Sequence, residues 1–208
     1  MRLTALLGIG ILSSTAAFAG PTGLVSMPIA DILGHREYLH TWTMFGTEKN
    51  IDSRWYHSHA GLVGLFDRAE VGFDNDFMGN TTLNAKVLLF EEPKDAKYAL
   101  SAGTVGWKDG NGTNYVVGRY DFDQFRVHAG WLNDGENRLM VGIDGALGKS
   151  GMSWSLEHTT GTGARSWVGL SVPFEQIKGF SVLLGVGVPN KKEEGVQFAV
   201  TFNYGFKF

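Results

Sequence analysis

Hydrophobic and polar positions alternate without a break along residues 196–208. Val196, Phe198, Val200, Phe202, Tyr204, Phe206 and Phe208 are apolar or aromatic, while Gln197, Ala199, Thr201, Asn203, Gly205 and Lys207 are polar or small. Successive side chains of a strand point to opposite faces, so this period of two predicts a strand with one apolar face. Strands of soluble sheets run to about five or six residues, and a tilted membrane-spanning strand needs about 9–11. The length of the terminal run therefore favours a membrane. The same period recurs at residues 83–90, 124–131, 138–144, 152–157, 167–174 and 180–188. Weaker alternation marks 36–45, 55–65, 69–74, 98–107 and 114–122. Together these predict an all-β fold, an antiparallel up-and-down transmembrane barrel of twelve strands, an even number as bacterial barrels require.

Turn chemistry separates the runs. Gly, Asn, Asp and Pro cluster at 46–53, 75–80, 108–112, 133–137, 148–151, 159–164 and 189–195, with shorter breaks at 66–68, 91–97, 123 and 175–179. Asp-Gly, Asn-Gly and Pro-Asn steps are strong turn signals. The regular spacing predicts a meander of hairpins. With both termini on the periplasmic side, all six outward connections are short. The Trp residues at 42, 55, 107, 131, 154 and 167 fall mostly near strand ends, as expected of aromatic girdles at the two membrane interfaces. Tyr204, Phe206 and Phe208 form a C-terminal aromatic row that is expected to act as the signal for the barrel-assembly machinery.

The beginning of the chain sets the compartment. Arg2, an apolar run from Leu3 to Leu12 and the small-x-small triplet Ala17-Phe18-Ala19 predict a cleaved signal peptide over residues 1–19. The apolar run is too short to span a bilayer as a helix. Residues 20–35 lack alternation and hold Pro21 and Pro28. They are expected to lie in the periplasm or to fold into the lumen as a plug, with residues 36–208 forming the barrel.

Composition supports export to an outer membrane. The chain has 29 Gly, 14 Phe, 6 Trp and no Cys, so a disulfide framework is ruled out and a closed hydrogen-bond ladder is the natural alternative. A net charge of −3 is no footprint for nucleic acid. The mean hydropathy of −0.06 is compatible with a barrel, because polar lumen residues dilute apolar lipid-facing ones.

Residues 20–34, read Gly-Pro-Thr-Gly-Leu-Val-Ser-Met-Pro-Ile-Ala-Asp-Ile-Leu-Gly, resemble the N-terminal motif of YjbH-like outer-membrane proteins. So do Arg68-Ala-Glu-Val-Gly-Phe73, Leu83-Asn-Ala-Lys86 and the Glu-Glu-Pro turn at residues 91–93. The resemblance covers roughly the first half of the chain. It implies a barrel and a link to exopolysaccharide export, and transfers no functional residue.

Candidate chemistry is sparse. His57 and His59 share a strand face, a spacing that can hold a metal, but His₂ is an incomplete shell and the pair is expected to face a wet lumen. Ser58 beside them raises a membrane-embedded acyl hydrolase, which would need a base within hydrogen-bond reach. No Gly-x-Ser-x-Gly elbow is present. The charges expected to face inward are Glu70, Lys86, Arg126, His128, Arg138, Asp144, Glu157 and Lys207. They bear both signs and are able either to pair across a filled lumen or to line a pore. The sequence thus points to a non-enzymatic outer-membrane barrel without cofactors, a narrow channel or envelope component. Its partners would be outer-membrane lipid, the assembly machinery and a polysaccharide or small solute. An outer-membrane acyl hydrolase and a soluble periplasmic β-sandwich binding protein are the alternatives.

Overall fold

The structure, a computed structural model, describes residues 23–48, 55–78, 80–93 and 97–208. The expected signal peptide lies outside the described residues, as do parts of the turns at 46–53, 75–80 and 91–97. Twelve strands follow one another: β1 (Glu37–Thr47), β2 (Tyr56–Leu65), β3 (Ala69–Asn75), β4 (Thr81–Glu91), β5 (Tyr98–Lys108), β6 (Asn111–Asp121), β7 (Phe125–Asn133), β8 (Asn137–Ala146), β9 (Ser153–Thr159), β10 (Arg165–Pro173), β11 (Phe180–Pro189) and β12 (Gln197–Lys207). Each pairs antiparallel with its neighbour in sequence, and β12 pairs with β1 to close the barrel. The closing register runs from Glu37 opposite Lys207 to Thr47 opposite Gln197. Closure removes the free edges that an open sheet of this length would expose.

The wall is inverted relative to a soluble protein. Thr41, Thr43, Asn84, Lys86, Ser101, Ser155, Thr201 and Asn203 are buried, whereas Leu139, Val141, Val168, Val188 and Phe206 are exposed. A strand of ten residues rising about 3.3 Å each, tilted by about 40°, spans about 25 Å, the height of the apolar band of membrane barrels. Turns at 66–68, 122–124, 147–152 and 174–179 lie at the end where β1 starts and β12 finishes, termed the terminal end here. The far end carries the 76–80, 134–136 and 160–164 turns. At its Asp109-Gly110 hairpin both central residues have positive φ, 51° and 84°, as a two-residue turn matched to strand twist requires.

Two aromatic side chains of the wall depart from the direction expected of them. Register shifts in the β4–β5 ladder between Leu83 and Ala85 and between Leu88 and Phe90 turn Phe90 outward, where strict alternation would hold it inside. Trp167, grouped with the interfacial girdle from its position, points into the lumen and is 5% exposed. Trp42, Trp107 and Trp131 are on the outer face.

Candidate functional site: an occupied lumen

Residues 23–34 run inside the barrel. Leu24 N donates to Met27 O at 2.9 Å and Gly23 bridges Pro28, making a tight turn near the start of the described segment. Leu24, Val25, Met27, Ile29 and Ala30 are all buried. Met27 and Ala30 pack with Leu88, Ala99, Tyr115, Val117 and Met140; Val25 packs with Trp167, Leu183 and Ala199. These partners come from β4, β5, β6, β8, β10, β11 and β12, which is possible only inside the cylinder. Glycines on the inner face make the room. A Cβ at Gly169 or Gly185 would stand 2.5 or 2.8 Å from Val25, and one at Gly142 would stand 2.7 Å from Leu24.

Polar anchors fix the segment at intervals. The Glu157 carboxylate, on β9, accepts hydrogen bonds from the N–H groups of Val25 (2.9 Å), Ser26 (2.6 Å) and Met27 (3.2 Å), and from the Ser26 hydroxyl (2.5 Å). Successive N–H groups converging on one anion form a nest, here turned inside out: the wall supplies the anion and the segment the donors. Lys86 Nζ donates to Ile29 O (3.2 Å) and pairs with Glu70 (3.0 Å), both side chains fully buried. Ser101 Oγ donates to Ala30 O at 2.6 Å. The Asp31 carboxylate bridges Arg119 on β6 and Arg126 on β7, the latter at 2.7 Å. Arg126 continues to Asp144 at 2.7 Å, and Asp144 meets His128 Nε2 at 2.6 Å.

The segment leaves the lumen at the terminal end through a bonded hinge. Leu33 N donates to Glu70 (3.0 Å), Gly34 N to Glu37 (2.8 Å), His35 N to Asp67 (2.6 Å) and Arg36 N to Gly64 O (3.0 Å). Phe66 N donates to His35 Nδ1 at 3.1 Å. Phe66 and Asp67 both have positive φ, 56° and 53°, a conformation non-glycine residues seldom adopt. The bonds to His35 account for its persistence.

Among the charges selected from sequence, Glu70, Lys86, Arg126, His128, Asp144 and Glu157 converge on this lumen. Arg138 sits at the far rim instead, bonded to Asp134 (2.9 Å) and to the carbonyls of Thr160 and Thr162. Partial burial pushes the Asp134 carboxyl up, but hydrogen bonds from Arg138 and the Glu136 N–H outweigh it and hold the group below its ordinary value. Lys207 shares the inward register of β12 but lies past the lumen, exposed at the terminal end. Tyr204, Phe206 and Phe208 face outward as a row; the Phe206 ring lies tilted against Tyr38 at 5.3 Å, and Phe208 N donates to Arg36 O at 3.1 Å.

The two histidines do not face the lumen. His59 pairs with the outward Trp42, and His57 stacks on the same indole from the next outward position. With His40, Phe77, Phe180, Phe202 and Tyr204, His59 and Trp42 line a groove of about 410 Å3 on the outer wall. Strand alternation sends Ser58 inward, away from both imidazoles. Among the described residues no group of three His, Cys, Asp or Glu is placed to hold a metal.

Asp31, Arg119, Ser101 and Ser26 are site residues that pattern reasoning did not select. Asp31 and Ser26 lie in a stretch without period. Arg119 follows the inward Tyr115 and Val117 on β6, where segment packing makes the inner face apolar too and hides the alternation.

No protein-family model matches the chain, and no curated protein does. Among solved structures, a KdgM porin aligns over 81% of this chain and 99% of its own, with 15% identity and a TM-score of 0.55. A mutant of the Rh. blastica porin aligns over 76% of this chain and 57% of its own, with 14% identity and a TM-score of 0.44. At that identity the first likeness shows a shared barrel fold.

Proposed function

We propose that this chain is an outer-membrane β-barrel that works as a narrow channel, held closed by its own N-terminal segment. The observation that carries the proposal is the occupied lumen: residues 24–31 fill it and are bonded to five wall strands. The inverted wall and its height of about 25 Å support a membrane location. The likeness to a protein described as a porin supports passage of a solute over catalysis. A non-enzymatic role has further support at Ser58, because the two adjacent histidines stand on the opposite face of the sheet. The link to exopolysaccharide export rests on the YjbH-like motifs alone, and a polymer would pass only with the segment withdrawn.

Fractionation of expressing cells, with boiled and unboiled samples compared on a gel, tests the membrane half of this proposal. The protein is expected in the outer-membrane fraction, migrating differently before and after boiling. A soluble protein with no heat-dependent shift would contradict it.

A further inference from the structure

Each oxygen of the Asp31 carboxylate has its own arginine. Oδ1 accepts from Arg119 Nη1, and Oδ2 accepts from Arg126 Nη1 at 2.7 Å. The other guanidinium nitrogens are turned to the wall. Arg119 Nε stands 2.9 Å from Asp121 Oδ1, and its Nη2 stands 3.6 Å from Glu91. Arg126 donates to Asp144 from Nε at 3.1 and 3.2 Å and from Nη2 at 2.7 Å. Asp144 is fixed in turn by His128 Nε2 at 2.6 Å. The two Nη1 groups are therefore aimed by side chains of β4, β6, β7 and β8, not by the segment. They form a fork built by the wall, and Asp31 is its occupant.

The wall groups come close to balance without Asp31. Asp121 and Asp144 match the two guanidiniums, and Glu91 is 41% exposed, where solvent and salt screen it. Taking Asp31 away leaves two charged donors converging on one point with no acceptor there, which is costly inside a lumen. A second carboxylate meets the same need, because guanidinium donors match the two oxygens of that group. A neutral amide brings one oxygen instead of two, and no charge. The point is also within reach of solvent. Arg119 lies two residues before the end of β6 and Arg126 is the second residue of β7, on either side of the 122–124 turn at the terminal end. The side chains of Asp31 and Arg126 are each 17% exposed. Asp31 lies just before the hinge that begins at Leu33.

We propose that Arg119 and Arg126 form a carboxylate-binding clamp open to the terminal end, that Asp31 fills it as an internal ligand, and that a carboxylate-bearing solute competes with Asp31 and so weakens the hold on the segment. The release step deepens the closed-channel assignment and rests on it; the clamp rests on the geometry of the two arginines. Occupancy by Asp31 and by a solute exclude each other, so the coupling is reciprocal: removing Asp31 tightens solute binding, and bound solute favours release. Asp31 is tethered and acts at an effective concentration of about millimolar or higher, so the native clamp responds only to solute at such concentrations.

The test is titration calorimetry of succinate into the full chain, folded in detergent, at constant ionic strength. Asp31→Ala empties the clamp and is expected to bind one succinate at least about tenfold more tightly than the native chain. Succinamide, similar in shape but uncharged, is expected not to bind. Arg126→Gln added to Asp31→Ala is expected to abolish succinate binding. Asp31→Asn, which keeps the side-chain shape, serves if Asp31→Ala fails to fold, with a smaller gain in the same direction. No saturable binding by a folded Asp31 variant would overturn the clamp. So would equal affinity in native and variant chains, or affinity retained after Arg126→Gln. The release step is read separately in planar bilayers, where succinate on the terminal-end side is expected to raise the opening frequency of the native chain and succinamide is not. A native chain that stays silent in succinate, while Asp31→Asn/Glu157→Gln conducts, would overturn the release step and leave the channel assignment standing. If that double variant is silent as well, the channel assignment fails and the clamp is judged by calorimetry alone.

Discussion

In planar bilayers the Asp31→Asn/Glu157→Gln double variant is expected to conduct ions where the native chain stays closed. Both substitutions keep shape and remove charge. Glu157 as a carboxylate accepts four hydrogen bonds from residues 25–27. As Gln its amide N–H₂ would confront backbone N–H donors, so part of the nest turns repulsive. Asp31 as Asn loses its charge against Arg119 and Arg126. Hydrogen bonds to charged groups contribute about 1.5–3 kcal/mol each. Losing several at both anchors amounts to about 5 kcal/mol or more, and about 5.5 kcal/mol is enough to invert an occupancy ratio of 99:1. The apolar packing of Val25, Met27 and Ile29 opposes release, so openings are expected to be frequent but not permanent. Bilayers as silent as with native protein would show that these anchors do not hold the gate.

Lys86→Met is expected to be the most destabilising single substitution in the wall. Lys86 and Glu70 are both fully buried, and the ammonium also ties Ile29 O to the wall. Removing it leaves the Glu70 carboxylate in the lumen without that counter-charge. Breaking a buried pair from one side costs about 3–5 kcal/mol. Adding Glu70→Gln should recover most of the loss, because a neutral pair carries no desolvated charge. The midpoint of urea unfolding, followed by the heat-dependent gel shift, reads both. A Lys86→Met midpoint equal to the native one would mean that water reaches the pair.

The alternation that reveals β12 does so because lipid lies on one side and small or polar lumen groups on the other. It fails where the segment packs. On β6, Tyr115 and Val117 face Met27 and Ala30, so both faces of the strand are apolar and Arg119 was not selected. On β2 the pattern is reversed: Leu62 points inward against Leu33, and His57 and His59 point outward. Hydropathy alone would place those histidines inside. Trp167 follows the same logic, an aromatic side chain inside because Val25 needs an apolar partner there. The inward charges Glu70, Lys86, Arg126, His128, Asp144 and Glu157 were legible, since burying a charge on a period-two strand marks the lumen face. Where the segment meets them was only partly legible, because Glu157, Lys86 and Glu70 bond backbone groups of residues 25–33 that no side-chain pattern reports.

The central claim is that these residues occupy the lumen, and the absence of Cys makes it directly testable by thiol labelling. Met27 is 1% exposed between the segment and β8. Lys149, in the turn at the terminal end where a periplasmic tail would lie, is exposed. A membrane-impermeant maleimide, applied to folded protein in detergent, should label Lys149→Cys at once. Met27→Cys should stay unlabelled until the barrel is unfolded by heating. Equal labelling at both positions before heating would place the segment outside the barrel and contradict the account.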